Sequence, residues 1–264
     1  MEFTNLEQIN KKYCLFFSNR DLTSFEKEII NSPKPINIIN YNLNNIDILN
    51  SLSIYYDIEI NKPQSEMKGT YENNIKYFMT INEKLSKLGS SKGFLRIGAY
   101  FMGIDDIDKG IEYFIKAIEI NDEDSKLAKH NLALCYERLG KFNDALELLF
   151  ECLDKDNISH IIIIYSDLNN LEETVKWIEY GIYKQSKDCL DLLEELLKDS
   201  TMFYWILLSL PFTNDVIENK KRQILPRINN DIISSYRDNN PILLIGGITP
   251  YIPGCSKELI EKFN

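Results

Sequence analysis

Few groups in this chain of 264 residues have types suited to chemistry: two histidines, His130 and His160, and five cysteines, Cys14, Cys135, Cys152, Cys189 and Cys255. Neither set has the spacing of metal ligands, since no H-E-x-x-H and no C-x-x-C pair occurs, and a histidine-dependent site needs several converging ligands. His130 is expected to be a neutral surface residue. The scattered, odd-numbered cysteines indicate reduced thiols. Cys135 and Cys152 fall one on each helix of a predicted pair and are expected to be small buried hydrophobes rather than nucleophiles. No G-x-x-x-x-G-K-[ST] or G-x-G-x-x-G phosphate loop is present, and the glycines of Gly246 to Ile248 are expected to serve a turn. The acid pairs Asp105–Asp106 and Glu172–Glu173 sit in predicted turns, where they would complement a helix N-terminus. A glycosidase-type carboxylate pair meets in space and leaves no linear signature. No catalytic group, cofactor or metal is therefore expected.

Composition narrows the partners. Apolar residues make up 44% and charged residues 27% of the chain, which places it among globular proteins rather than disordered ones. Its net charge of −10 disfavours nucleic acid and anionic membrane, both of which call for a basic patch. The densest basic cluster, Asn219 to Arg227, is short and is expected to be a solvated helix face. Met1 is followed by Glu2 and Glu7 rather than a basic, then apolar, leader. No apolar stretch reaches the roughly 18 residues needed to span a bilayer. An intracellular, cytoplasmic setting is expected. Isoleucine occurs 38 times against two valines, a skew that coding bias explains, so the Ile161 to Ile164 run carries no functional weight.

The elements that would position any site come from an internal repeat. Four segments align without gaps, starting at Asn74, Gly110, Ala145 and Thr174, with separations of 36, 35 and 29 residues. Their first column is small or modest in size. The fourth and fifth hold large apolar residues, Tyr77, Tyr113, Leu148 and Trp177 beside Phe78, Phe114, Leu149 and Ile178. Seven places after the first stand Ile81, Ala117, Cys152 and Gly181. Seven residues is about two helical turns, so the two mostly small columns share one helix face, where a neighbouring helix can approach. The spacing predicts a helix, a turn and a second helix per unit. In the third unit the first helix spans Leu127 to Leu139 and ends at Gly140 as a left-handed cap. Phe142 leads into the second helix, with Asn143 or Asp144 as its N-cap.

Ala133, Tyr136, Gly140 and Ala145, with Leu132 and Leu149, resemble the tetratricopeptide repeat motif. Gly98, Phe101, Asp105, Gly110, Phe114 and Ala117 follow it less closely, and Glu173 to Ile182 is also similar to the Sel1-like repeat. The resemblance covers about Tyr71 to Lys187. It implies an all-α fold, a helix-turn-helix repeat solenoid forming a superhelix with degenerate terminal segments. Residues 1–66 would be an N-terminal segment compatible with a degenerate repeat, in which Ile46 to Ile58 pairs with the helix at Asn74. Residues 67–187 would be the repeats. Residues 188–264 would be a mostly helical cap with helices at Asp188, Thr201, Asn214 and Cys255, and Pro241 to Gly254 crossing the end of the stack.

The resemblance further implies a concave groove that holds a peptide or partner protein, non-catalytically. Its lining would be Leu95, Ala99, Met102, His130, Asn131, Leu134, Glu137, Arg138, Ile163 and Asp167, apolar with a few edge charges and suited to a segment with apolar anchors. The family's clamp for chaperone C-terminal carboxylates is not expected. Asn131 matches its asparagine, but Leu95, Ala99, Asp156 and His160 stand where lysine, asparagine, lysine and arginine are needed. The competing expectation is a regulatory or targeting module attached to a terminal activity.

Overall fold

The computed structural model describes residues 3–13, 20–155, 157–189 and 191–192. Among these residues the protein is all-α. Its helices are α1 (Leu6–Tyr13), α2 (Ser24–Asn31), α3 (Ile46–Ile60), α4 (Tyr71–Lys87), α5 (Lys92–Gly103), α6 (Ile107–Ile120), α7 (Ser125–Arg138), α8 (Phe142–Glu151), α9 (Ile158–Asp167) and α10 (Leu171–Tyr183), with one 3-10 turn at Ile38–Asn40. Two compact units divide the chain at Leu148 and Leu149. The sequence segments at Cys14–Phe17, Thr201–Leu210, Asn214–Leu225, Pro241–Gly254 and Cys255–Phe263 lie outside the described residues, as do the Asn219–Arg227 cluster and most of the expected cap.

In the first unit the helices pack in chain order, α2 on α3, then α4, α5, α6 and α7 in succession, and α5 also touches α7. Helix α3 starts where the Asn45 side chain accepts from the N–H groups of Asp47 and Ile48, at 2.9 and 3.1 Å. Such a cap satisfies donors that have no partner inside the helix. Ten of its fifteen residues are buried, so neighbours surround it. Residues 3–13 and 20–31 form an arm on it. Thr4 and Leu6 pair with Arg20 and Leu22 in one isolated antiparallel bridge, and α2 opens with a capping box between Thr23 and Glu26. Phe3, Leu6, Ile9, Leu22 and Ile29 share one core with Leu49, Leu52 and Tyr55 of α3, Phe78 of α4 and Ile97 of α5. The boundary expected at 66/67 therefore runs through a loop beside a continuous core. That loop is tied back to the arm: Lys12 pairs with Glu66 at 2.7 Å, and the Lys68 ammonium donates to the Ile30 carbonyl at 2.8 Å.

One turn recurs through both units. Gly89, Asp105, Gly140, Asn169 and Gln185 each follow a helix with φ between +54° and +89°. In every case their N–H donates to the carbonyl three residues back, and the next N–H donates to the carbonyl five residues back. This is the Schellman closure, and its left-handed residue is usually glycine because a Cβ is disfavoured there. The turn also corrects the start of α8. Lys141, not Asn143 or Asp144, stands at the N-cap place, since the Ala145 N–H already donates to the Lys141 carbonyl at 3.0 Å. Because the turn uses Lys141 as its last residue, the next helix begins at once. Glu172 and Glu173 likewise belong to the first turn of α10 rather than to the loop, and Asn170 caps that helix by accepting from the Glu173 N–H at 3.2 Å.

The repeat columns are core. Asn74, Ala145 and Thr174 are buried, as are Phe78, Phe114, Leu149 and Ile178, and then Ile81, Ala117 and Cys152. Gly98 is required by packing, because a Cβ there would lie 2.6 Å from the Phe114 ring. In the second unit α9 packs on α10, Phe150 stacks on Trp177 with centroids 5.5 Å apart, and Trp177 meets Tyr180 edge-on. Ile161, Ile162 and Ile164 are fully buried there, a packing role for a run that carries no functional information. A Cβ on Gly181 would stand 2.4 Å from the Cys189 sulfur, so glycine admits the segment beyond α10.

Candidate interaction face

Helices α5 and α7 are the first helices of successive pairs, and their mutual contact makes their outer sides neighbours. On α7, His130, Leu134 and Glu137 follow at helical spacing, with Asn131 and Arg138 alongside. The first four are half-buried and Arg138 is exposed. Arg138 reaches the Met102 carbonyl of α5 at 3.5 Å, joining the C-terminal ends of the two helices. Met102 is half-buried and Ala99 exposed. Leu95 differs from its expected place: it is 8% exposed and packs into the core of α5, α6 and α7 with Phe114, Ala117, Ala128 and Leu132. Its side chain therefore supports the face from beneath. Ile163, half-buried, and Asp167, exposed, lie on α9 in the second unit. The structure thus brings Ala99 and Met102 together with the α7 residues across one helix contact.

The face holds charged residues that sequence reasoning passed over. Arg96 is the sole charged residue in the interior of α5 and is half-buried. Its guanidinium donates to Asn50 Oδ1 of α3 at 3.4 Å. Burial draws the Arg96 pKa down, while Asp57 of α3, then Asp124 and Glu26, act to raise it. Asp57 is half-buried one turn-pair along α3 from Asn50. Burial pushes its carboxyl up to about 6 against the pull of Arg96, and among the described residues no carboxylate lies within 4.0 Å of Arg96. At the N-terminus of α5, Lys92 meets Asp124 at 3.4 Å, and Asp122 accepts from the Ser91 N–H at 2.8 Å. Burial works against the charge on Asp122, yet donors from Ser91, Asp124 and Ser125 hold its carboxyl below the usual range. The available signal for Arg96 was a lone charge within an otherwise apolar helix. Its partner on α3, Asn50, was hidden because it lies 46 residues away.

Elsewhere, the second unit has a cavity of about 270 Å³ lined by Phe150, Leu153, Ile158 and Tyr180 with two acids and two lysines. The mixture gives no preference of sign. Cys135, Cys152 and Cys189 are buried thiols; burial pushes the Cys135 thiol up, and that of Cys189 to about 11, the reverse of what a nucleophile needs. Among the described residues no three of His, Cys, Asp and Glu converge to hold a metal, and no helix is long and apolar enough to cross a membrane. No family model matches the chain, and no curated protein is similar enough to it to count as a relative.

Proposed function

We propose that the chain is a non-catalytic scaffold of tetratricopeptide type, holding a peptide or partner protein on the groove formed by its first helices. The observation that carries this reading is the identical turn closing α5, α7 and α9, with a left-handed residue at Asp105, Gly140 and Asn169 and the same pair of hydrogen bonds. Buried columns at matching places and the α5–α7 contact support it, because such stacks expose the first helices side by side. The partner meets half-buried Met102 and Leu134 with Glu137 and Arg138 at the edge. A free chaperone-type C-terminal carboxylate is not the ligand, since only Asn131 of the required set is present. Affinity purification from the native host with mass spectrometry tests this, using wild type beside Leu134→Glu. Specific preys lost by the variant, with its helicity unchanged, support the groove; the same preys recovered by both count against it.

A further inference from the structure

The charge of the chain is sorted between its helices. The first helices α5 and α7 carry five cations and one carboxylate, whereas the second helices α6 and α8 carry two cations and six carboxylates. In a chain of net charge −10, the helices that offer the groove are the basic ones. Both cations of α6 are neutralised locally, Lys109 by Asp106 at 2.6 Å and Lys116 by Glu112 at 2.5 Å. Where α5 meets α7, Lys92 closes on Asp124 at 3.4 Å, and two guanidinium groups are left against neutral oxygens. Half-buried Arg96 donates to Asn50 Oδ1 at 3.4 Å, and exposed Arg138 donates to the Met102 carbonyl at 3.5 Å. Among the described residues neither has a carboxylate within 4.0 Å. Arg20 shows the alternative, gripping Glu26 through two hydrogen bonds of 2.8 and 2.7 Å.

A guanidinium binds a carboxylate through paired, charge-assisted hydrogen bonds, which are stronger than those it makes to a neutral oxygen. The two arginines therefore favour an anionic guest. Its spacing follows from α5: Arg138 reaches the carbonyl of Met102, six residues beyond Arg96, a rise of about 9 Å along the helix. An extended chain covers that distance in roughly three residues. Beside the arginines stand half-buried Met102 and Leu134 and the carboxylates of Asp124 and Glu137. A nucleic acid would set its phosphates against those acids and leave the apolar pair unused, whereas a peptide with acids on either side of an apolar residue matches each part. We infer that Arg96 and Arg138 hold two acidic side chains of a bound extended segment, about two to four residues apart, around an apolar residue seated on Met102 and Leu134. The inference rests on the groove reading above and adds the charge and spacing of the ligand.

A positional-scanning library of nonapeptides, acetylated and amidated so that no terminal charge remains, tests it with the full chain at pH 7.5. Wild type is expected to retain peptides with Asp or Glu at two such positions about tenfold over the same peptides with one acid replaced by its amide, the scale of one charge-assisted hydrogen bond. Arg138→Gln removes the selection at one of the two positions and Arg96→Gln at the other, each keeping the apolar choice between them. Arg138→Glu turns its position toward Lys and Arg, an outcome that lost packing does not produce. Lys76→Gln, which removes an exposed cation of α4, selects as wild type does. Should Arg96→Gln lose its helical circular dichroism, the exposed Arg138 carries the comparison. Selection of neutral or basic side chains, acid selection that survives both arginine variants, a loss in Lys76→Gln equal to theirs, or displacement of the peptides by a uridine homopolymer overturns the inference and leaves the groove standing. Peptide selection at no position overturns the groove, and the inference with it.

Discussion

Helices α3 and α7 are both first helices of a pair, and the chain treats them in opposite ways. On α3 ten of fifteen residues are buried; on α7 five of fourteen are, and His130, Asn131, Leu134 and Glu137 keep part of their surface open. Among the described residues the difference comes from the arm of residues 3–13 and 20–31, whose Leu6, Ile9, Leu22 and Ile29 share the core around α3, while no arm residue joins the core around α7. A helix that is apolar all round must be enclosed, whereas a two-faced helix leaves one side for another molecule. Among the described residues the first pair is therefore covered by its own chain, and α7 keeps a half-buried side.

The largest expected effect breaks the sealed side. Leu49→Ala removes a fully buried side chain beneath the arm and should cost about 2–5 kcal/mol in urea unfolding, whereas Leu134→Ala on the open side should cost under about 1 kcal/mol. Equal losses would erase the distinction. Next, Gly93→Ala strikes the junction of sealed and open parts, because its Cβ would lie 2.0 Å from the Asn82 carbonyl oxygen of α4. Backbone must move, and a loss of about 3 kcal/mol is expected; a thermal midpoint equal to wild type would show that α4 and α5 are not held by that approach.

The third effect concerns Asp57, on the flank of α3 that the arm leaves half-open. Its carboxyl is raised to about 6 from 3.8, so the folded protein binds this proton more tightly than the unfolded chain does. Its contribution to stability is complete below about 4 and is lost as pH rises to about 6. Asp57→Asn should therefore gain roughly 1–3 kcal/mol at pH 7.5 and almost nothing at pH 3.5, measured by denaturant unfolding at both values. A gain that does not depend on pH would assign the effect to packing. The smallest effect compares turns: Asp105, left-handed at φ +64° where the third pair has Gly140, should gain about 0.5–1 kcal/mol as Asp105→Gly. No gain would mean that its side chain compensates for the conformation.

How much of this was legible in the sequence depended on whether the signal was local. Gly140 and the small columns disclosed α7 and α8, and the spacing carried that register to α5, α6, α9 and α10. The arm was harder. Helix α1 has eight residues and is held by burying Leu6 and Ile9 on distant partners, and helices this short are marginal alone. The Thr23-x-x-Glu26 capping box was readable and was passed over. Asn143 and Asp144 were mistaken for caps because composition favours them, while the preceding turn decided the start. On the candidate face, the α7 residues followed from the repeat, but Leu95 belongs to the core and Arg96, one place on, to the surface. That distinction depends on which neighbour each meets, and the repeat pattern is silent on it.

The buried thiols give the molecule an internal clock. Cys135 lies in the first unit, and Cys152 and Cys189 in the second; each is at most 1% exposed. The thiolate attacks an alkylating reagent, and burial both suppresses that form and excludes the reagent, so labelling waits for the surrounding helices to open. The order in which these cysteines are modified thus records the order in which the two units breathe. A bound partner that clamps α7 would slow the Cys135 reaction and leave the other two as an unaltered time base.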